Sequence, residues 1–296
     1  MINHLTTETR NPHTMNLDEM STKDFLRVMN EEDKQVPIAV EKEISQIEKV
    51  VNLVVDSFNR GGRLIYLGAG TSGRLGILDA VECPPTFGTH FEQVRGLIAG
   101  GERAIMKAVE GAEDHPEEAV KDLKELKLTA KDTVIGLAAS GRTPYVVGGL
   151  KYARDLHAHT AAVSCNKNAE ISRYADVAIE VLAGPEVVTG STRLKSGTAQ
   201  KLVVNMISTG TMVGIGKVYG NLMVDVQLTN QKLVERAKNI ISIATGISPE
   251  EAEQYLIDSE NKPKVAIVMI ERQCSREQAE KCLEAAKGFV RQAITQ

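Results

Sequence analysis

The stretch Arg63–Ile77, RLIYLGAGTSGRLGI, constrains the fold of this chain more than any other. It opens as a short apolar run, Leu64-Ile65-Tyr66-Leu67, breaks into Gly68-Ala69-Gly70-Thr71-Ser72-Gly73, and resumes in a helical apolar pattern. A buried strand that passes through a glycine-rich turn into a helix N-terminus is a ready anion site, because the first-turn N–H groups have no partner inside the helix. Glycine lets the backbone come close to a ligand, and the Thr71 and Ser72 hydroxyls add donors. The loop is not a Walker A loop, since no Gly-Lys-Ser/Thr follows. Gly68, Gly70 and Gly73 match the G-x-G-x-x-G spacing of dinucleotide binders. The acid expected about 20 residues on, Glu92, does not clearly end a strand. A tight strand–helix turn without a ligand is the alternative.

The rest of the chain repeats the alternation. Strands are expected near 63–68, 94–99, 133–139, 160–165 and 177–182, with helices near 73–82, 102–110, 116–126, 143–156, 168–174 and 196–215. Short apolar runs separated by helical patterns mean a parallel sheet covered on both faces. Right-handed crossovers then give an α/β fold, a three-layer doubly wound sandwich on a five-stranded parallel sheet. Before it, Ser21 is a candidate cap for a short helix ending near Asn30. Val36, Val40, Ile44, Ile47, Val51, Val54 and Phe58 recur at helical spacing in one long amphipathic helix that Gly61-Gly62 ends. After the sheet, Ser248-Pro249-Glu250-Glu251 and Ser275-Arg276-Glu277-Gln278 are capping boxes, and Pro263 is a helix start. These define a small C-terminal helical bundle, in which Val265–Ile270 alone also reads as a strand.

Composition narrows the function. A net charge of −4 with no basic run argues against nucleic acid. There is no apolar run of about 18 residues for a membrane span, and no leader-like N-terminus. Four cysteines without C-x-x-C spacing fit a reduced, cytoplasmic setting. His157-x-His159 stands beside no carboxylate cluster, so a strand edge is preferred over a metal site.

Two further loops follow the logic of the first. The third strand runs into Ser140-Gly141-Arg142-Thr143-Pro144, and the fifth leads to Gly190-Ser191-Thr192-Arg193-Leu194-Lys195-Ser196-Gly197-Thr198. Three hydroxyl/glycine loops at one sheet edge would converge on one phosphate-bearing small molecule. The candidate ligands are Thr71, Ser72, Gly73, Ser140, Gly141, Thr143, Ser191 and Lys195, with the Gly73 and Gly141 backbone N–H groups among the donors. Two acids stand out. Glu82, in Val81-Glu82-Cys83-Pro84-Pro85, is placed at a helix C-terminus stopped by two prolines, where it opposes the helix dipole. Glu113 lies beside a glycine break in Glu110-Gly111-Ala112-Glu113-Asp114. A solvated surface role is the plain alternative for either.

The set GAGTSGRLG, ECPPTF, EGAED, ASGRTPYV and GSTRLKSGTAQK, with Thr7-Glu8-Thr9-Arg10-Asn11-Pro12 at the start, resembles the N-acetylmuramic acid 6-phosphate etherase family across the whole chain. The resemblance implies a sugar isomerase (SIS) domain at 51–225, an N-terminal arm and helices at 1–50, and a C-terminal helical subdomain at 235–296. It implies a carbon–oxygen lyase of amino-sugar metabolism, a cytoplasmic homodimer that acts in cell-wall recycling on an amino-sugar phosphate without metal or cofactor. Glu82 is then the acid/base at the ether oxygen and Glu113 the second active-site acid. The glucokinase regulatory protein is similar in architecture. A sugar-phosphate isomerase and a sugar-phosphate-sensing binding protein are the alternatives.

Overall fold

The computed structural model describes residues 5–228 and 231–295; residues 1–4 of the expected arm and residue 296 of the expected C-terminal subdomain lie outside them. Short 3-10 turns lead into helices α1 (Thr22–Asp33), α2 (Gln35–Glu41) and α3 (Ile44–Asn59). Ser21 caps α1 by accepting the Asp24 N–H at 3.2 Å. The single long helix expected over 36–58 is two helices. The chain breaks at Lys42-Glu43, where Glu43 Oε2 accepts the Glu180 N–H at 3.4 Å. Periodicity hides the break, since buried Val36 and Val40 on one side and Ile47 and Val54 on the other keep the same phase. Ile44, at the break, is exposed.

Strands β1 (Leu64–Gly68), β2 (Val94–Ile98), β3 (Thr133–Leu137), β4 (His159–Ser164) and β5 (Val177–Glu180) form one parallel sheet in the order β2-β1-β3-β4-β5. The five expected strands are thus realised, while the helix expected near 168–174 is a 3-10 turn over Ile171–Tyr174 and the one expected near 102–110 spans only Arg103–Met106; the direction of winding reverses between β1 and β3. Helices α4 (Gly70–Phe87), α5 (Arg103–Met106), α6 (Pro116–Glu125), α7 (Pro144–Asp155) and α8 (Lys195–Gly214) connect and follow the strands. On one face Ile65, Leu67 and Val134 pack with Leu123 of α6 and Val146 and Leu150 of α7. On the other, the Tyr66 hydroxyl donates to Asp79 Oδ2 on α4 at 2.8 Å. The Ser208 hydroxyl of α8 donates to Asp79 Oδ1 at 2.9 Å. Burial pushes the Asp79 carboxyl up to about 6 despite these two donors.

The chain divides into two compact units, Met1–Ala80 with Glu92–Ser208, and Val81–Phe91 with Thr209–Gln296. The second holds a short hairpin, β6 (Val218–Tyr219) and β7 (Leu222–Met223), then α9 (Gln231–Thr245), α10 (Pro249–Asp258), α11 (Pro263–Arg272), α12 (Arg276–Ala285) and α13 (Val290–Thr295). Both capping boxes form. Val265–Ile270 is helical, not a strand. Its unbroken apolar run is what a helix enclosed on all sides requires, and Val265, Ala266, Ile267, Val268 and Met269 are all buried in the core of this unit. No helix among the described residues is long and apolar enough to cross a membrane.

Candidate active site

In open α/β sheets ligands sit beyond the strand C-termini where the winding reverses. Here that is the crevice between the loops after β1 and β3. Backbone packing sets the first loop. A Cβ on Gly68 would lie 2.7 Å from Gly73 N, and one on Gly73 2.9 Å from Gly68 O. Only glycine at both positions lets α4 start this close to β1, which places Thr71 and Ser72 at the crevice.

A cleft of about 460 Å³ lies there, lined by Thr71, Ser72, Ser140, Thr143, Glu113, Asp114 and Arg142 together with Glu8 and Thr192. Five of the expected residues therefore share one cleft. Ser140 Oγ accepts the Arg142 N–H at 3.4 Å, which leaves its own proton able to turn toward a ligand. Thr143 precedes α7 without capping it through its side chain. Ser72 is 7 % exposed, and its hydroxyl donates to Gln200 Oε1 at 2.8 Å. The Gln200 Nε2 is buried with no hydrogen-bond partner among the described residues. Glu113 lies in a 3-10 turn after Gly111. Desolvation first, then the neighbouring Asp114 and Glu110 carboxylates, raise its pKa above the ordinary value.

Other expected residues are engaged within the protein or stand away from this cleft. The Gly73 N–H donates to Ala69 O at 3.1 Å and the Gly141 N–H to Ala138 O at 2.9 Å, so both already have a backbone acceptor. The third loop already holds its anion. The Glu186 carboxylate, fully buried, accepts the Lys195 N–H at 2.9 Å through Oε2, and the Ser196 N–H at 2.9 Å and hydroxyl at 2.8 Å through Oε1. A helix N-terminus filled by the chain's own carboxylate offers no second anion site. Lys195 is 1 % exposed, and its Nζ donates to Glu32 Oε2 at 2.6 Å rather than facing the cleft. Ser191 is absent from the lining, where its neighbour Thr192 stands instead.

Glu82 is exposed and belongs to the second unit. It is not at a helix C-terminus, because α4 runs through Pro84 and Pro85 to Phe87. The prolines remove two helical N–H donors. Burial of Cys83 and Phe87 and the bond from the Gly88 N–H to Pro84 O at 3.0 Å hold the last turn nonetheless. Gly88, at φ +62°, ends the helix in the left-handed conformation that glycine adopts freely. The dipole argument therefore does not apply to Glu82.

Glu8, from the N-terminal arm, lines the cleft without having been expected there from its local sequence. The buried Thr7 beside it donates its N–H to Asn166 Oδ1 at 3.4 Å and accepts from Asn166 Nδ2 at 3.1 Å. Asn166 Nδ2 also donates to Ala139 O at 3.1 Å, just before the second hydroxyl loop. The arm is thereby tied to the loop it covers. Nothing local in Thr6–Glu8 signals this, because every partner is far away in sequence.

Family models match in sequence order. The glucokinase regulatory protein N-terminal SIS domain covers residues 45–154, the SIS domain covers 112–209, and the C-terminal lid domain of glucokinase regulatory protein covers 220–265. A solved phosphoheptose isomerase from Francisella tularensis shares the fold, at a TM-score of 0.50 and 16% identity, covering 66% of this chain and 100% of that one. An N-acetylmuramic acid 6-phosphate etherase from Geobacillus sp. (strain WCH70) is 64% identical over 294 residues, 99% of this chain and 100% of that relative. One of the same name from Bacillus cereus matches equally, 64% over 294 residues. The chain belongs to the N-acetylmuramic acid 6-phosphate etherase family.

Proposed function

We propose that this chain cleaves the D-lactyl ether of N-acetylmuramic acid 6-phosphate with water, giving N-acetylglucosamine 6-phosphate and D-lactate. The observation that carries the reading is one cleft lined by Ser72, Ser140 and Thr143 together with Glu113, whose carboxyl is shifted upward by desolvation, in a chain of this family. In the open-chain aldehyde, the C2 proton is acidified by the carbonyl. A base removes it, the C3–oxygen bond breaks, and the departing lactate oxygen takes a proton from an acid. Water then adds at C3 and a proton returns to C2, so atoms and charge balance. One carboxyl can serve as acid in one step and base in another. By family resemblance Glu82 acts at the ether oxygen, and Glu113 is assigned the C2 proton. The substrate's chemistry fits a cytoplasmic enzyme. A homodimer is part of the reading; a monomer in sedimentation at micromolar concentration would contradict it.

Lactate release from N-acetylmuramic acid 6-phosphate tests the reaction. An isomerase would move the C2 proton and release none, and a sensor would bind and do neither. The phosphate assignment has its own test. Ser72→Ala and Ser140→Ala are each expected to weaken binding of N-acetylglucosamine 6-phosphate by on the order of 1–3 kcal/mol, the worth of a hydrogen bond to a charged group. Wild-type affinity in both variants would remove these serines from the phosphate site.

A further inference from the structure

A phosphate oxygen only accepts hydrogen bonds, and the Ser72 hydroxyl has one proton to give. In the structure that proton goes to Gln200 Oε1 at 2.8 Å, behind the cleft. Gln200 is 1 % exposed, and its Nε2 is buried with no partner among the described residues. Orphaned buried N–H groups are rare and costly, whereas an under-satisfied carbonyl oxygen is tolerated more often. A half-turn of the side-chain amide interchanges its oxygen and nitrogen with almost no change of shape. After the turn an amide N–H meets the Ser72 oxygen as a donor, and the hydroxyl proton is released toward the cleft.

Ser140 already has this arrangement, built from backbone. Its oxygen accepts the Arg142 N–H at 3.4 Å, which leaves its proton able to point at a ligand. We propose that Gln200 is a positioning residue for the substrate phosphate, donating its side-chain N–H to Ser72 Oγ so that the Ser72 hydroxyl donates to the phosphate. The proposal rests on the reading of Ser72 as a phosphate ligand. Gln200 is on α8, the helix whose N-terminus is held by buried Glu186, so the amide sits on a fixed support. The position needs a donor. A carboxylate there would accept the Ser72 proton and add negative charge behind the phosphate. A thioether would leave the hydroxyl free to rotate.

The test is the affinity of the full chain for N-acetylglucosamine 6-phosphate, measured by calorimetry for wild type, Ser72→Ala, Gln200→Glu and Gln200→Met. Each variant is compared with wild type at the same pH, because phosphate itself titrates near pH 6. Gln200→Glu is expected to bind roughly tenfold or more weakly at neutral pH, like Ser72→Ala, since a lost charge-assisted hydrogen bond is worth about that factor. It should recover several-fold toward wild type near pH 5.5, where a buried carboxyl regains a proton to donate. A purely structural role would not be rescued by acid. Gln200→Met is expected to bind several-fold more weakly than wild type, and it decides alone if Gln200→Glu does not fold. Wild-type affinity in Gln200→Glu at neutral pH, or equal or tighter binding in Gln200→Met, overturns the proposal while Ser72→Ala remains weak. Wild-type binding by Ser72→Ala removes the phosphate reading of that serine and the proposal with it.

Discussion

Glu82→Gln is expected to exchange the substrate's C2 proton with heavy water while releasing lactate roughly 10²–10⁴-fold more slowly, the usual worth of one general acid–base step. Glutamine keeps the size but has no proton to cycle at the ether oxygen. Glu113→Ala is expected to lose both exchange and lactate release, because without the C2 carbanion nothing drives the C3–oxygen bond to break. Proton NMR of C2 exchange and a lactate assay on the same samples read the two steps separately. Exchange lost in Glu82→Gln and kept in Glu113→Ala would interchange the roles, and normal lactate release from Glu82→Gln would refute its assignment. The pH dependence has a sign. A base works ionised, and Glu113 is shifted upward by desolvation and its acidic neighbours. Exchange should therefore fall as pH drops through a value above the ordinary glutamate range.

The second large effect is on stability. Glu32→Ala is expected to cost about 3–5 kcal/mol, because removing one member of a buried ion pair strands the other without solvent. Lys195 is that other member, donating at 2.6 Å to Glu32 Oε2. Asn11 Nδ2 donates to the same oxygen at 2.8 Å, and His13 Nδ1 lies 2.6 Å from Oε1. Burial alone would raise the Glu32 carboxyl; the bonds from Lys195, His13 and Asn11 outweigh it and hold the pKa at about 2. A depressed pKa contributes stability that is present above the unfolded value of about 4.5 and is lost as pH falls toward 2. Denaturant unfolding of wild type should show that loss, and Glu32→Ala should not. Glu32→Met with Lys195→Met should regain most of the stability, since an apolar replacement of the whole pair is often close to neutral. A Glu32→Ala cost below about 1 kcal/mol, as for an exposed pair, would place the two charges in solvent. The pair joins the N-terminal segment to α8, so its loss should also loosen the arm that brings Glu8 to the cleft.

What the amino-acid order determined by itself is the part governed by neighbours. Apolar runs ending in glycine and hydroxyl residues specified five parallel strands and the two loops that carry Ser72 and Ser140, because strand period, turn chemistry and the first helical turn are all local. Ser248 and Ser275 specified their helices for the same reason, each bonding a residue three positions on. Tertiary structure alone decided the rest, and each instance turns on a distant partner. Glu186, nine residues before Lys195 in sequence, converted a loop resembling the other two into a self-satisfied helix start. Glu32 took the lysine that the same loop seemed to offer to phosphate. Burial of Cys83 and Phe87 carried α4 through two prolines that sequence propensity reads as a stop. Gln200 and Glu8 stand within stretches that carry the family resemblance, but what Gln200 bonds and which cleft Glu8 lines cannot be read there, since a hydrogen bond across 128 residues leaves no periodicity.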